Sequence, residues 1–263
     1  SAEAPNLSRL VVSLRDPSGV VREVVTQRIG FRSVEVRDRQ LLLNGRATYL
    51  RGVNRHDHDP RTGKAVTLDG MRADLVTMKR FGFNAVRCSH YPNDHRFLDL
   101  CDELGMWVVD EANIESHALN LSLCHDPRYL ATWVERNERM VRRDKNHASV
   151  IMWSLGNESG YGPGHDAAAA WIRRYDPSRP LHYEGPLMGR LHAAAPVTDV
   201  VCPMYASIDE IVEWSERGAD TRRPLILCEY SHAMGNSNGS LADYWEAIEA
   251  HDGLQGGFVW EWK

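Results

Sequence analysis

A chain of 263 residues, 43% hydrophobic and 25% charged, has room for one large globular domain and excludes a disordered or membrane-embedded one. A formal net charge of -5, with Lys and Arg interspersed among acids as in residues 136–145, argues against a nucleic-acid partner. Five cysteines (Cys88, Cys101, Cys124, Cys202, Cys228) form no CxxC pair and mostly fall within apolar runs, so free thiols are expected rather than disulfides or zinc. No secretory signal and no apolar run of bilayer length is visible, which makes the cytoplasm the default compartment and a membrane partner unexpected. Because the chain begins at Ser1 and stops at Lys263 directly after an apolar run, it is expected to be a piece of a longer polypeptide.

Residues 1–40 alternate apolar and polar through Leu10, Val12 and Leu14, turn at Asp16-Pro17-Ser18-Gly19, and resume at Val21, Val25, Phe31, Val34 and Val36. That is a hairpin pattern with too few strands to bury a face, so residues 1–36 are expected to end an incomplete β-sandwich. From Leu41 the pattern changes to strands alternating with helices. The spacing predicts eight strands at 41–53, 84–88, 107–110, 150–155, 181–183, 200–203, 225–228 and 257–260. Amphipathic helices are predicted over 71–81, 95–104, 127–144, 165–175, 208–217 and 240–251. Asp69 and Asp94 suit helix N-termini, and Gly82, Gly105 and Gly253 suit C-terminal ends. Eight such strands are the count of a closed α/β barrel, a (β/α)8 TIM barrel over 37–263 cut after its eighth strand, whose site lies at the C-terminal ends of the strands.

Those ends are crowded with chemistry: Asn54, Arg55 and His56; Arg87 and His90; Glu115 and His117; Asn157 and Glu158; Glu184; Tyr205; Glu229 and His232; Trp260 and Glu261. The run VIMWSLGNESG at 150–160 delivers Glu158 at the end of a buried strand, and PLILCEYSH at 224–232 delivers Glu229 in the same way. A lone strand-end Glu is commonly a solvated loop residue. Two of them, beside Asn157 and Tyr230, suit the acid and carboxylate pair of glycoside hydrolysis, which in a retaining enzyme stand about 5 to 5.5 Å apart. Glu115 and His117, two apart, would project the same way from extended backbone and could face a hard cation such as Mg2+, or simply bond each other. His56, His58, His90 and His232 could each be a satisfied core or loop histidine, or donors to sugar hydroxyls. Trp260 could fill the barrel or stack on a pyranose, while Trp171 and Trp245 at helical spacing suit the core. No GxSxG elbow is present, and the glycine-rich GMRAD and GYGPG lack the context of phosphate loops.

At these residues the chain resembles the β-galactosidases of glycoside hydrolase family 2. The resemblance is carried by RGVNRHDHDP (51–60), NAVRCSHYPN (84–93), VVDEANIESH (108–117), VIMWSLGNESG (150–160), VCPMYA (201–206), LILCEYSHAMGNS (225–237) and LQGGFVWEW (254–262). It implies an immunoglobulin-like β-sandwich before the barrel and retaining hydrolysis of terminal β-D-galactosides such as lactose. By resemblance, Glu158 is the acid/base, Glu229 the nucleophile, Tyr205 the assistant to sugar departure and Arg87 the cation that orients Glu229 and keeps it ionised. The resemblance also implies Mg2+ on Glu115, His117 and Glu158, and a galactose site lined by His56, His90, Asn157, His232 and Trp260. A family Na+ site has ligands outside this chain, and the relatives imply a homo-oligomer, a tetramer. The loop 188–198 departs from the family in length, and Asp57 stands where some relatives have Glu. Two other readings accompany this one: an inactive fragment that only binds carbohydrate, and the same mechanism on another β-glycoside.

Overall fold

The computed structural model describes residues 1–187, 191, 197–218 and 222–263; most of the loop 188–198 lies outside the described residues. In chain order the strands are β1 (Ser8–Arg15), β2 (Val21–Ile29), β3 (Val34–Arg37), β4 (Gln40–Leu43), β5 (Arg46–Ala47), β6 (Leu50–Arg55), β7 (Ala85–Cys88), β8 (Trp107–Glu111), β9 (Val150–Ser154), β10 (Leu181–His182), β11 (Leu225–Tyr230) and β12 (Leu254–Val259). The helices are α1 (Leu68–Arg80), α2 (His95–Leu104), α3 (Asn120–His125), α4 (Leu130–Asp144), α5 (Pro163–Tyr175), α6 (Ile208–Arg217) and α7 (Leu241–Ala250).

Seven parallel strands hydrogen-bond in the order β10-β9-β8-β7-β6-β12-β11. The ring closes between its two edges through residues 199–205. Asp199 N donates to Leu181 O at 2.9 Å on one side, and Val201 and Met204 bridge Leu225 and Glu229 on the other. The predicted sixth strand, 200–203, is therefore extended backbone that makes only isolated bridges. Pro203 has no amide to give, and Tyr205 turns into the left-handed region at φ 50°, so a regular ladder cannot propagate.

The predicted first strand, 41–53, is two pieces. Asn44 (φ 53°) and Gly45 (φ 74°) form a tight turn that folds β4 back on β5, and only β6 enters the barrel. β3, β4 and β5 make a small sheet across the N-terminal mouth of the barrel, where Leu41 and Leu43 are buried. Gln255 fastens it, accepting from Leu41 N and donating to Leu41 O at 3.2 Å. Inside the ring one core layer collects Leu41, Leu50, Ala85, Trp107, Val109, Met152, Val200, Ile226 and Phe258. Gly52 is required there because a Cβ would lie 2.3 Å from the Phe258 ring. A second core fills the space between strands and helices, with Met71, Leu75, Phe97, Trp133, Met140, Trp153, Ile172 and Trp214.

Helix ends follow capping chemistry. Asp94 accepts from Arg96 N at 2.9 Å and Gly105 closes α2 in the left-handed conformation, while Ser207 and Glu210 form a capping box on α6. Thr67 rather than Asp69 caps α1, and Asp69 sits in its first turn. The predicted helix 127–144 begins as a short 3-10 turn at Pro127–Tyr129 before α4, and α3 was not anticipated. The β1–β2 hairpin pairs in antiparallel register with Leu10, Val12, Leu14 and Val25 exposed; among the described residues no second sheet covers it. All five cysteines are buried and unpaired, and among the described residues no helix is long and apolar enough to cross a membrane.

The start of β9 is tied to α2. Asp102 accepts from His147 Nδ1 and from Ser149 N, each at 2.7 Å. Burial pulls the His147 imidazole down, but the bond to Asp102 and its charge outweigh that and raise it above its ordinary value. A raised folded value means this contribution to stability is complete below about pH 6.5 and is lost as pH rises through the folded pKa. Unfolding free energy measured from pH 6 to 9 should fall less in His147→Asn than in the wild-type protein; parallel curves would remove the imidazolium from the account.

Candidate active site

The C-terminal mouth of the barrel is braced by one guanidinium. Arg87 on β7 is fully buried and reaches four neighbouring elements. Its Nε and Nη2 donate to the two Glu111 oxygens at 2.8 and 3.1 Å, its Nη1 to Glu229 Oε1 at 2.9 Å and Asn54 Oδ1 at 3.0 Å, and its Nη2 to Asn157 Oδ1 at 2.7 Å. Burial alone would lower the Arg87 pKa, yet the charges of Glu111 and Glu229 raise it well above its usual value. Glu111 is also buried, which works against its charge, but Arg87, His90 and Ser154 hold its carboxyl down at about 2.

Strand irregularities aim the two expected carboxylates. On β11 the pairing with β12 slips between Leu227 and Tyr230, where three steps oppose two, so Cys228 and Glu229 both face inward and Tyr230 faces the outer core. Glu229 accepts at both oxygens, from Arg87 and from the Tyr205 hydroxyl at 2.9 Å. Burial first, then the Glu229 charge and this hydrogen bond, push the Tyr205 phenol far up, so it remains a proton donor to Glu229. Beyond β9, Gly156 (φ 141°) passes so close to Ile114 that a Cβ would lie 2.7 Å from its carbonyl oxygen, and Glu158 follows in the left-handed region at φ 39°. The Glu158 carboxyl is raised above its ordinary value by burial, with the Glu229 and Glu115 charges adding and His117, 3.0 Å away, opposing.

Around this pair, His90 Nδ1 bonds Glu111 at 2.8 Å and its ring stacks on Trp260, centroids 5.0 Å apart. His56 Nδ1 bonds Glu261 at 2.6 Å and meets the Trp260 edge at 5.5 Å. His232 lies 6.1 Å from the Tyr205 ring, and His58 is exposed. Asn157 donates to Glu115 at 2.9 Å. Glu158, Glu184 and Tyr205 line an adjoining cleft of about 530 Å³ with Leu121, Tyr161 and Met204.

Glu115 and His117 do not project from one extended strand. The backbone leaves that conformation at Ser116, and His117 opens a 3-10 turn, so the imidazole bonds Glu158 while Glu115 turns to Asn157. Among the described residues no three His, Cys, Asp or Glu side chains gather closely enough to enclose an ion. The donor chemistry nevertheless suits a hard, hydrated cation: two partly exposed carboxylates whose charges repel, with one imidazole at the rim.

Three buried participants were not singled out from sequence. Glu111, Ser154 and His182 form a chain in which the Ser154 hydroxyl donates to Glu111 at 2.7 Å and lies 3.1 Å from His182 Nδ1. Burial and Arg87 drive the His182 pKa down to about 3, leaving a neutral imidazole. Strand parity could have found Glu111, because Trp107, Val109 and Glu111 share the inward face of β8.

A ring of parallel strands with carboxylates, imidazoles and an aromatic face at their C-terminal ends defines an α/β barrel whose site occupies the standard position for that fold. The chain belongs to glycosyl hydrolase family 2: the model of its TIM barrel domain matches residues 34–263. It is 50% identical over 274 aligned residues to a beta-galactosidase of Pectobacterium atrosepticum and 48% identical to one of Photobacterium profundum. Each alignment covers 100% of this chain and 26% of the relative, so the chain spans about a quarter of the length of the curated relatives it matches. Among solved structures, a β-glucuronidase of Ruminococcus gnavus superposes with TM-score 0.83 at 23% identity, over 97% of this chain and 49% of the other. One of Dictyoglomus thermophilum gives 0.82 at 24%, over 99% and 51%. These likenesses show the fold.

Replacing Arg87 by Met keeps much of its volume but strands two enclosed carboxylates. Equilibrium denaturation should show a loss of about 3–5 kcal/mol. Arg87→Lys, with charge but no planar fork, should fall between. A loss below about 1 kcal/mol for Met, typical of an exposed pair, would mean that Arg87 does not brace the mouth.

Proposed function

We propose that the chain forms the catalytic barrel of a β-galactosidase that releases terminal β-D-galactose, lactose included, with retention of configuration. The observation that carries this reading is the division of labour between two carboxylates. Glu229 is fixed at both oxygens by Arg87 and Tyr205, whereas Glu158 is raised by burial and by the Glu229 charge. One is oriented as a nucleophile and the other favours holding a proton, as the paired roles require. The choice of galactose rests on the relatives named beta-galactosidases, which are 50% identical to this chain over its whole length.

In the first step a Glu229 oxygen attacks the anomeric carbon, the bond to the leaving oxygen breaks, and Glu158 gives that oxygen its proton. In the second, Glu158 takes a proton from water, the water oxygen bonds the anomeric carbon, and Glu229 departs as carboxylate. The Tyr205 hydroxyl, already bonded to Glu229, offers its proton to the oxygen that regains charge as the sugar leaves. Asn157, pinned by Arg87 and Glu115, is presented to a sugar hydroxyl, and the His90 and Trp260 stack with His56 and His232 would line the ring pocket. Mg2+ would be held by Glu115, His117 and Glu158, where its charge would offset the repulsion between the carboxylates. The buried, unpaired cysteines suit a reducing compartment such as the cytoplasm.

Glu229→Gln should lower turnover of an aryl β-galactoside by several orders of magnitude with an unchanged thermal midpoint; unchanged turnover, or sugar binding with none in the wild-type protein, would leave a binding module. Retention is read from the anomer first formed by NMR, and an α product would end this mechanism.

Calorimetric titration should show Mg2+ binding that Glu115→Gln weakens, and chelation should lower activity. Equal Mg2+ affinity in the variant would remove Glu115 from the set.

A further inference from the structure

The loop that carries Glu158 is held from the end of the next strand. Asn157 N donates to Ile114 O at 2.8 Å, continuing the pairing toward β8. The next two amides turn the other way. Glu158 N donates to Glu184 Oε1 at 2.7 Å, and Ser159 N donates to the Tyr183 hydroxyl at 3.2 Å, which itself donates to Gly160 O at 2.6 Å. Two consecutive side chains at the end of β10 thus hold two consecutive amides of the loop. The approach is close: a Cβ on Gly185 would stand 2.3 Å from Gly160 O.

Glu184 is the member of this pair that meets the acid/base residue itself. Glu158 sits at φ 39°, a conformation that disfavours any residue with a Cβ and turns its amide away from the neighbouring strand, so the orientation of its carboxyl depends on what receives that amide. Glu184 has one oxygen on the amide and the other, Oε2, shielded from solvent with no partner. It lines the same cleft as Glu158 and Tyr205, and the reaction steps give it no role.

We infer that Glu184 is a positioning residue, which sets the direction of the Glu158 carboxyl by accepting the Glu158 backbone amide. The inference rests on the reading of Glu158 as the group that protonates the leaving oxygen. A carbonyl oxygen at the length of a Glu side chain is all the role needs. Gln supplies it, Asp falls one methylene short, and Leu has no acceptor.

The test compares kcat/KM of the purified protein for methyl β-galactoside, whose leaving oxygen needs a proton, and 2,4-dinitrophenyl β-galactoside, whose leaving group does not. Glu158→Gln serves as the reference. Glu184→Asp and Glu184→Leu should lower kcat/KM for the methyl glycoside by about 10- to 100-fold and leave the dinitrophenyl glycoside within about threefold, while Glu184→Gln restores the first to near wild type. A generally loosened fold would depress both substrates together. Equal losses on both, or wild-type values in folded Asp and Leu variants, would overturn the inference. If Leu does not fold, Asp and Gln carry the comparison, since both keep a polar side chain. Should Glu158→Gln itself slow both substrates alike, the assignment of Glu158 fails and takes this inference with it. Selectivity in Glu158→Gln with none in the Glu184 variants overturns only the role of Glu184.

Discussion

The mouth of this barrel depends on a buried cation held among more acceptors than its charge can neutralise. Arg87 contacts side chains from β6, β8, the end of β9 and β11, so its position ties four strand ends into one rigid arrangement. A Lys could supply the charge but not five donors in a fixed plane. The electrostatic consequences differ between neighbouring carboxyl groups. Glu111, gripped by two nitrogens, is held at about 2, while at Glu184 burial outweighs the lowering by Arg87, the Glu111 charge adds to it, and the carboxyl is pushed up to about 8. Direct contact with the guanidinium thus keeps Glu111 anionic, whereas at Glu184 burial prevails over the same cation and favours the protonated form.

That arrangement needs the carboxylates to face inward, and regular strands would not put them there. With side chains alternating along β11, Ile226 and Cys228 face the interior and residue 229 would face the helices. The register slip adds one residue opposite β12 and turns Glu229 to Arg87. β9 slips against β8 in the same way, which lets both Ile151 and Met152 enter the interior core and brings Ser154 round to Glu111. Lower down the ring the same faces carry Leu50, Ala85, Trp107 and Phe258, so the site is the polar top of a stack whose apolar base fixes its shape.

The barrel was legible in the sequence because parallel strands buried on both faces read as apolar runs, and six of the eight predicted runs coincide with strands of the ring. The remaining two failed for local reasons. The Asn44-Gly45 turn is invisible to an apolar count, and Pro203 breaks a ladder that the run VVCPM suggests. The strand-end rule found Arg87, Asn157, Glu158, Tyr205, Glu184 and Glu229, all of which meet at the mouth. It overlooked Glu111, Ser154 and His182, the last residues of β8, β9 and β10, because more polar residues follow each of them in the loops and drew the reading outward. The spacing of Glu115 and His117 did not place their side chains together because the backbone leaves the extended conformation at Ser116 and His117 opens a 3-10 turn.

Three non-glycine residues with positive φ stand around the site, Glu158 at 39°, Tyr205 at 50° and Ser231 at 49°, each just past the end of a barrel strand or of the extended closing segment. Such a conformation costs on the order of 1 kcal/mol, and glycine would remove the cost along with the side chain. Two of the three are held by an amide bond to the neighbouring element: Glu158 N to the Glu184 side chain, and Tyr205 N to the Glu229 backbone carbonyl at 2.8 Å. The second of these is reciprocal, because the Tyr205 hydroxyl returns to the Glu229 carboxylate. A strand that turned normally at these points would continue its ladder and direct its side chains along the barrel wall. Turning left at the rim instead drops a carboxyl and a phenol over the opening, the phenol bonded to the inward-facing Glu229. The conformational cost at the rim and the register slip on β11 are thus two parts of one solution to bringing side chains from different strands to a common point.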